Sequence, residues 1–222
     1  MFRTIRRLLS GRRRTWALNN IDVKLDKILS RRDGFFIEAG ANNGRHQSNT
    51  LYFERYYGWT GILVEPIPEL AQECKTNRPN CIVENCALVP SDYLEQEITM
   101  NYCGMMSMVE GAMKSPEEEA RHLESGCKVQ NLSSYRLTVP VKTLTSILDS
   151  NNVDKIDLLS LDVEGAELNV LKGLDLERFR PEYMLIEARY RDELDEYLAP
   201  SYKPVCKMSH HDVLYRNTRS AA

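Results

Sequence analysis

The stretch Asp33-Gly34-Phe35-Phe36-Ile37-Glu38-Ala39-Gly40-Ala41-Asn42-Asn43-Gly44 decides how this chain reads. Gly34 to Ala39 is a short apolar run with a carboxylate at its end, the pattern of a strand buried in a parallel sheet. Gly40 and Gly44 bracket a tight turn, and His46 to Tyr57 is compatible with a helix. A glycine turn between strand and helix lets a ligand approach the backbone and leaves the helix's first N–H groups free to meet it. Glu38, where the strand ends, is expected to face that ligand rather than the core.

Outward from this turn the pattern repeats. Trp16 to Leu29 has apolar residues at helical spacing (Leu18, Ile21, Leu25, Ile28, Leu29) and predicts a helix before the first strand. Gly61 to Glu65 is a second apolar strand ending in an acid; Pro66 and Pro68 break it, Glu69 to Asn77 is helical, and Cys81 to Leu88 is a third strand. Strands alternating with helices predict an α/β fold with a doubly wound, mostly parallel sheet. Further strands are expected at Glu97 to Cys103, Leu137 to Val141, Ile156 to Leu161 and Tyr183 to Glu187, with short helices at Thr143 to Leu148 and Gly165 to Leu171. Lys203 to Lys207 and Val213 to Arg216 form a C-terminal antiparallel hairpin around Ser209-His210-His211. Between Gly104 and Ser134 the pattern dissolves, and that segment reads as an insertion or lid. The expected organisation is a basic tail over 1–15, one domain over 16–217 and a short tail over 218–222.

A chain of 222 residues, 42% of them hydrophobic, suits a single domain with a proper core. No run approaches membrane-spanning length, and no apolar secretory segment follows the N-terminus. The six cysteines are scattered without C-x-x-C pairs or zinc spacing, so a reduced, cytoplasmic chain without zinc is expected. A formal net charge of −3 gives no reason to expect nucleic acid as a partner. The first fourteen residues differ: they hold six arginines, no acid appears before Asp22, and taking those six charges away leaves −9. Phe2, Ile5, Leu8 and Leu9 can share one face of a short helix. Peripheral contact with an anionic membrane on its cytoplasmic face, an organelle presequence and an unstructured basic tail are the three readings of that start.

Three strands end in acids on the same sheet edge, Glu38, Glu65 and Glu187, and a fourth runs into Asp162. In an open α/β sheet that edge is where ligands bind. Four carboxylates on one rim need cations, hydrogen-bond donors or a ligand to offset their burial. Glu65 lies roughly twenty residues beyond the glycine turn, the place from which an acid accepts hydrogen bonds from both hydroxyls of a ribose. The dinucleotide fingerprint wants a glycine where Asn42 stands, and Glu38 adds a charge that repels phosphate but suits an ammonium. S-adenosylmethionine (SAM) therefore fits better than NAD, and no Tyr-x-x-x-Lys is present for hydride transfer. Cys86 and Ala87, ending the third strand, are placed near the adenine.

The runs Phe-Ile-Glu-Ala-Gly-Ala-Asn-Asn-Gly (36–44), Leu-Val-Glu-Pro (63–66), Val-Pro-Val-Lys-Thr-Leu (139–144) and Asp-Leu-Leu-Ser-Leu-Asp-Val-Glu-Gly-Ala-Glu (157–167) resemble the successive motifs of the FkbM family of SAM-dependent methyltransferases. The likeness covers about Phe35 to Glu187, with Glu38 where the family usually has Asp. It implies a class I, Rossmann-like methyltransferase that O-methylates a hydroxyl, often on a sugar of a polysaccharide, glycolipid or other natural product. It also implies that Glu38, Gly40, Asn42 and Gly44 hold the methionine part, Glu65 the ribose and Ala87 the adenine edge. Ala41, Ser48 and Pro66 complete the cofactor set, with Ser48 and Thr50 either bonding the cofactor carboxylate or capping a helix. The rival reading is a non-catalytic, ligand-binding member of the fold.

A sugar hydroxyl is a poor nucleophile at neutral pH and needs a base or a metal. Asp162 is the first candidate base. Glu164 and Glu187 either assist it or join it in holding a divalent cation such as magnesium. Against this stands the reading in which Asp162 and Glu164 cap the helix beginning near Gly165, with Glu167 structural. His46, beside the turn, and His210 and His211 in the hairpin are further candidate bases; His122 falls in the expected lid. Met100, Met105, Met106 and Met108 read as a pliable apolar wall or generic packing.

Overall fold

A computed structural model describes residues 13–218. The stretch Phe35-Phe36-Ile37-Glu38-Ala39 forms β1 (Phe35–Ala39), which pairs in parallel with β2 (Thr60–Val64) on one side and β8 (Leu158–Leu161) on the other. β3 (Ile82–Glu84) extends the sheet beyond β2, and β9 (Tyr183–Glu187) extends it beyond β8, both in parallel. The hairpin β10 (Tyr202–Lys207) and β11 (Asp212–Asn217) closes the far side, with β11 antiparallel to β9. The order is β10-β11-β9-β8-β1-β2-β3, the expected doubly wound, mostly parallel sheet with an antiparallel hairpin. Strand order reverses between β1 and β8, so the crevice beyond their carboxyl ends is where such a sheet takes a ligand.

Helices cover both faces because the strands are apolar on both. One layer packs Leu25 of α1 (Ile21–Asp26), Phe53 of α2 (Leu51–Tyr57) and Cys74 of α3 (Pro68–Asn77) against Phe36 and Leu63. The other packs α5 (Leu144–Ser150), α6 (Glu167–Lys172) and α7 (Arg191–Leu198) against Ile37, Ile62 and Leu159. A second, four-stranded sheet runs β4 (Ala87–Leu88), β7 (Tyr135–Lys142), β5 (Glu97–Tyr102), β6 (Met108–Val109). Among the described residues no helix is long and apolar enough to cross a membrane.

Several expected elements differ. Cys81 to Leu88 is two strands, not one: Asn85 breaks it by donating its side-chain amide to the carbonyls of Glu65 and Pro66, and the two pieces join different sheets. The helix expected from His46 starts only at Leu51, because Gln47 is left-handed (φ 56°) and residues 48–50 fold onto Glu38 instead. The helix expected over Trp16 to Leu29 shrinks to a 3-10 turn and α1, with Asn19 and Asn20 both left-handed. Within 104–134 the charged run is α4 (Pro116–Gln130): Ser115 caps it by accepting from the Glu118 N–H, proline opens the first turn, and three glutamates there suit the helix dipole. α7 has no counterpart among the expected elements; Leu194 and Leu198 are buried and Tyr197 packs beside them on a mostly charged helix. The tail expected over 1–15 is folded from Arg13, whose guanidinium donates to Tyr57 and pairs with Asp26. Thr218, at the other end, is bonded to Ser201. The first twelve residues, with most of the basic run, lie outside the described residues.

Candidate active site

Beyond the ends of β1, β2 and β8 lies a cleft with about 1000 Å³ of empty space, counting its open mouth. Its floor is the turn after β1. Gly40 has φ 80°, and a Cβ there would fall 1.8 Å from the Asp162 carbonyl oxygen, so only glycine lets β1 and β8 end so close together. One end is mainly apolar, with Leu70, Cys86, Ala87, Leu88 and Met100, and holds Glu65 and Pro66. The other is polar, with Ser48, Asn49, Ser160 and Asp162. Gly104, Met105, Ser107 and Val109 line the cleft from the expected lid.

Glu65 lines the cleft at the end of β2. Its carboxylate accepts the Asn42 N–H at 2.7 Å and the Ile67 N–H at 3.0 Å, one on each oxygen, which leaves lone pairs free for two hydroxyls. Burial pushes its pKa up to about 7, against those two N–H bonds. Asn42 stands in the left-handed region (φ 49°), and Cys86 and Ala87 are buried beneath the apolar end.

Three of the expected cofactor residues hold the protein's own loops. Glu38 borders the cleft but is only 4% exposed. Its oxygens accept the Asn49 N–H (2.7 Å) and the hydroxyls of Ser48 (2.8 Å) and Thr50 (2.6 Å), with the Arg78 guanidinium 3.6 Å away. It fastens the loop that replaces the expected helix start while its residue still borders the cleft. Ser48 is likewise bound up, accepting from the Leu51 N–H while donating to Glu38. Gly44 does not line the cleft: it is left-handed (φ 74°), its carbonyl accepts from Arg78 at 3.0 Å, and a Cβ would press on Arg78 and Cys74.

Asp162, Glu164 and Glu187 do converge, with carboxylate oxygens within 4.8 Å of one another. Asp162 is exposed, and the cleft is where it opens. Burial raises its pKa well above the usual carboxylate range, and the charges of Glu187, Glu164, Asp212 and Glu167 raise it further. Burial pushes Glu164 up to about 8, helped by Glu187 and opposed by Arg189. Burial also raises Glu187, whose Oε2 is buried with no hydrogen-bond partner. Glu164 adopts φ 53°, an uncommon conformation for a non-glycine residue. It accepts from Arg189 at 3.0 Å, and Nε2 of His122 on α4 lies 3.5 Å from it. Neither Asp162 nor Glu164 caps α6; Glu167 accepts the Gly165 N–H at 2.9 Å and fastens that turn.

Of the histidines, His46 lines the cleft mouth. His210 and His211 are exposed in the hairpin turn and do not line it. His122 reaches the acids instead, from the lid. Arg78, Arg189 and His122 are the functional neighbours that sequence reasoning missed. Each comes from an element distant in sequence, and only the acids' need for partners hinted at them.

Sheet order, glycine turn and acid-rimmed cleft define a Rossmann-like protein with a cleft at its strand ends. The chain belongs to the FkbM methyltransferase family: the methyltransferase FkbM domain model matches residues 38–215. It is similar to Methyltransferase 1 of Beauveria bassiana (strain ARSEF 2860), 27% identical over 154 residues that cover 66% of this chain and 61% of the relative. It is also similar to Methyltransferase sdnD of Sordaria araneosa, 26% identical over 163 residues, 65% of this chain and 62% of the relative. The chain thus matches less than two thirds of the length of these curated relatives. Among solved structures, a TehB-like SAM-dependent methyltransferase from Corynebacterium glutamicum aligns with a TM-score of 0.43 at 11% identity, over 89% of this chain and 88% of that one.

Proposed function

We propose that this protein transfers a methyl group from SAM to a hydroxyl of a sugar, in a polysaccharide, glycolipid or glycosylated natural product. The observation that carries the reading is Asp162: a carboxyl open to the cleft, its pKa raised by burial and by Glu187. A carboxylate whose proton affinity is raised above the usual range is a better general base than an ordinary one. An alcohol must lose its proton as it attacks, whereas a neutral amine attacks without a base. A base of this kind therefore favours an oxygen acceptor.

The residues present fit SAM. When bound, it supplies an electrophilic methyl group on a positively charged sulfur. Glu65 would take the ribose hydroxyls, Pro66, Cys86 and Ala87 the adenine, and Gly40, Ala41 and Asn42 the methionine part. The acids beyond β8 and β9 complement the sulfonium charge. Asp162 accepts the acceptor's proton, and Glu187 beside it keeps the pair's affinity for that proton high.

Magnesium fits this cluster less well. Glu164 is committed to Arg189, whose positive charge already sits where a cation would have to approach.

Calorimetric titration with S-adenosylhomocysteine, with NAD as control and with and without magnesium, tests the cofactor. Transfer of labelled methyl from SAM to a panel of sugars tests the acceptor. Micromolar binding of the homocysteine compound, independent of magnesium, is expected. No binding by a folded sample would sink the reading in favour of a non-catalytic protein.

A further inference from the structure

We propose that the mouth of the cleft carries a subsite for an anionic group of the acceptor, a phosphate monoester or carboxylate, held by Arg14 and Arg45 beside the Trp16 ring. This rests on the methyltransferase reading and names the acceptor's class.

A second open cavity of about 540 Å³, counting its mouth, adjoins the cleft, and His46 and Gln47 line both. Arg14, Thr15 and Trp16 line it from one chain segment, Asn43 and Arg45 from another. Both segments are fixed. Ala17 bridges Gln47 strand-to-strand, and the Arg14 N–H donates to the Tyr56 hydroxyl at 2.9 Å. The Trp16 and Ala17 N–H groups donate to Asp22 at 2.7 and 3.2 Å. Asn43 accepts the N–H groups of Arg45 (3.1 Å) and His46 (2.8 Å) with its side-chain oxygen.

The charges decide the ligand. Arg13, next along the first segment, is taken up by Tyr57 and Asp26. Arg14 instead lies over the Trp16 ring, 5.6 Å from its centroid, and Arg45 is exposed. Among the described residues, neither of these two guanidiniums has a carboxylate partner. Asp22, beneath that segment, is fully buried, with its oxygens taken by Thr15 and backbone N–H groups. Residues 1–12 hold four more arginines and no acid, so that stretch supplies no counter-charge. Two free guanidiniums facing a concave space are matched by a phosphate or carboxylate, which each can bind through paired N–H donors. A cationic mouth above an acidic interior gives the acceptor a polarity: its anionic end stays at the mouth while its hydroxyl reaches Asp162.

The chain has two tryptophans, and Trp59 is buried with its Nε1 bonded to the Arg31 carbonyl, so a ligand-induced change in emission reports Trp16. Full-length protein saturated with S-adenosylhomocysteine is titrated with glucose 6-phosphate, glucose and phosphatidylserine vesicles. The phosphate should bind about tenfold or more tightly than glucose. Arg14→Gln and Arg45→Gln should each remove most of that preference without changing affinity for the homocysteine compound, and Arg45→Lys should keep part of it. Equal affinity for glucose and its phosphate, or a preference that survives both glutamines, overturns the proposal. A response to vesicles alone overturns it too, and assigns the arginines to a lipid surface. Failure of the homocysteine compound to bind removes the methyltransferase reading instead, a result separable from the anion preference.

Discussion

Glu38 and Asp162 end neighbouring strands, and the protein surrounds them in opposite ways. Glu38 has a donor on every side: two hydroxyls, a backbone N–H and the Arg78 guanidinium. Arg78 in turn is fully buried and pairs also with Glu54. Asp162 has acids for neighbours, beside a Glu187 oxygen with no partner at all. Burying a carboxylate is tolerable when it is paired and bonded, and costly when it is not. The satisfied acid holds a loop in place. The one set among acids has a reason to hold a proton, and it opens onto the cleft.

The sharpest way to break this contrast is to disarm each acid and read stability and turnover separately. Arg78→Ala strands Glu38 and Glu54 in the interior, which should lower unfolding free energy by about 3–5 kcal/mol in urea titrations. A loss below about 1 kcal/mol would mean that the loop does not depend on the pair. Asp162→Asn should do the reverse. It removes a strained charge, so stability holds or rises, while turnover falls about a hundredfold or more with S-adenosylhomocysteine affinity intact. Wild-type turnover in that variant would strip Asp162 of its role as base. Glu65→Gln lies between the two, with an expected loss of about tenfold in affinity for the homocysteine compound, since one ribose hydroxyl loses its charged acceptor. Unchanged calorimetric affinity would remove Glu65 from the ribose site.

The contrast was half legible in the sequence. Strand ends marked by acids, the Gly40 turn and the hairpin could be read because period, glycine and charge are local signals. Glu38 and Asp162 looked alike for the same reason: each is an acid closing an apolar run. What separates them is who faces them. Arg78 arrives from the end of α3 and Arg189 from beyond β9, and no spacing rule ties either to its carboxylate. α4 and α7 were missed because their inward residues are few, His122 and Gly126 on one and Leu194 and Leu198 on the other. Their charged surfaces resemble a loop's composition. The mistaken helix start at His46 belongs here too, since the backbone of 48–50 follows Glu38 rather than its own propensity.

The pH dependence of stability is the most diagnostic effect, because it reads the acid cluster in the resting protein. Glu164 binds its proton more tightly in the folded chain, with a pKa pushed up to about 8, than in the unfolded chain, where 4.5 is the reference. Below pH 4.5 both states carry the proton and the stabilisation is whole. As pH rises toward 8 the unfolded chain ionises first, the folded chain holds more protons, and stability falls by at most about 1.4 kcal/mol per pH unit for each such group. Glu65 and Glu167, both pushed up to about 7, add to the same slope with the same sign. Turnover must run the other way, rising with pH as Asp162 gives up its proton and becomes a base. Glu164→Gln should therefore flatten part of the decline in urea midpoint between pH 5 and 8, and should raise the midpoint most at the alkaline end. A variant whose midpoint keeps the full wild-type slope would show that Arg189 and His122 already satisfy Glu164, and would place it with Glu38 as a fastening rather than with Asp162.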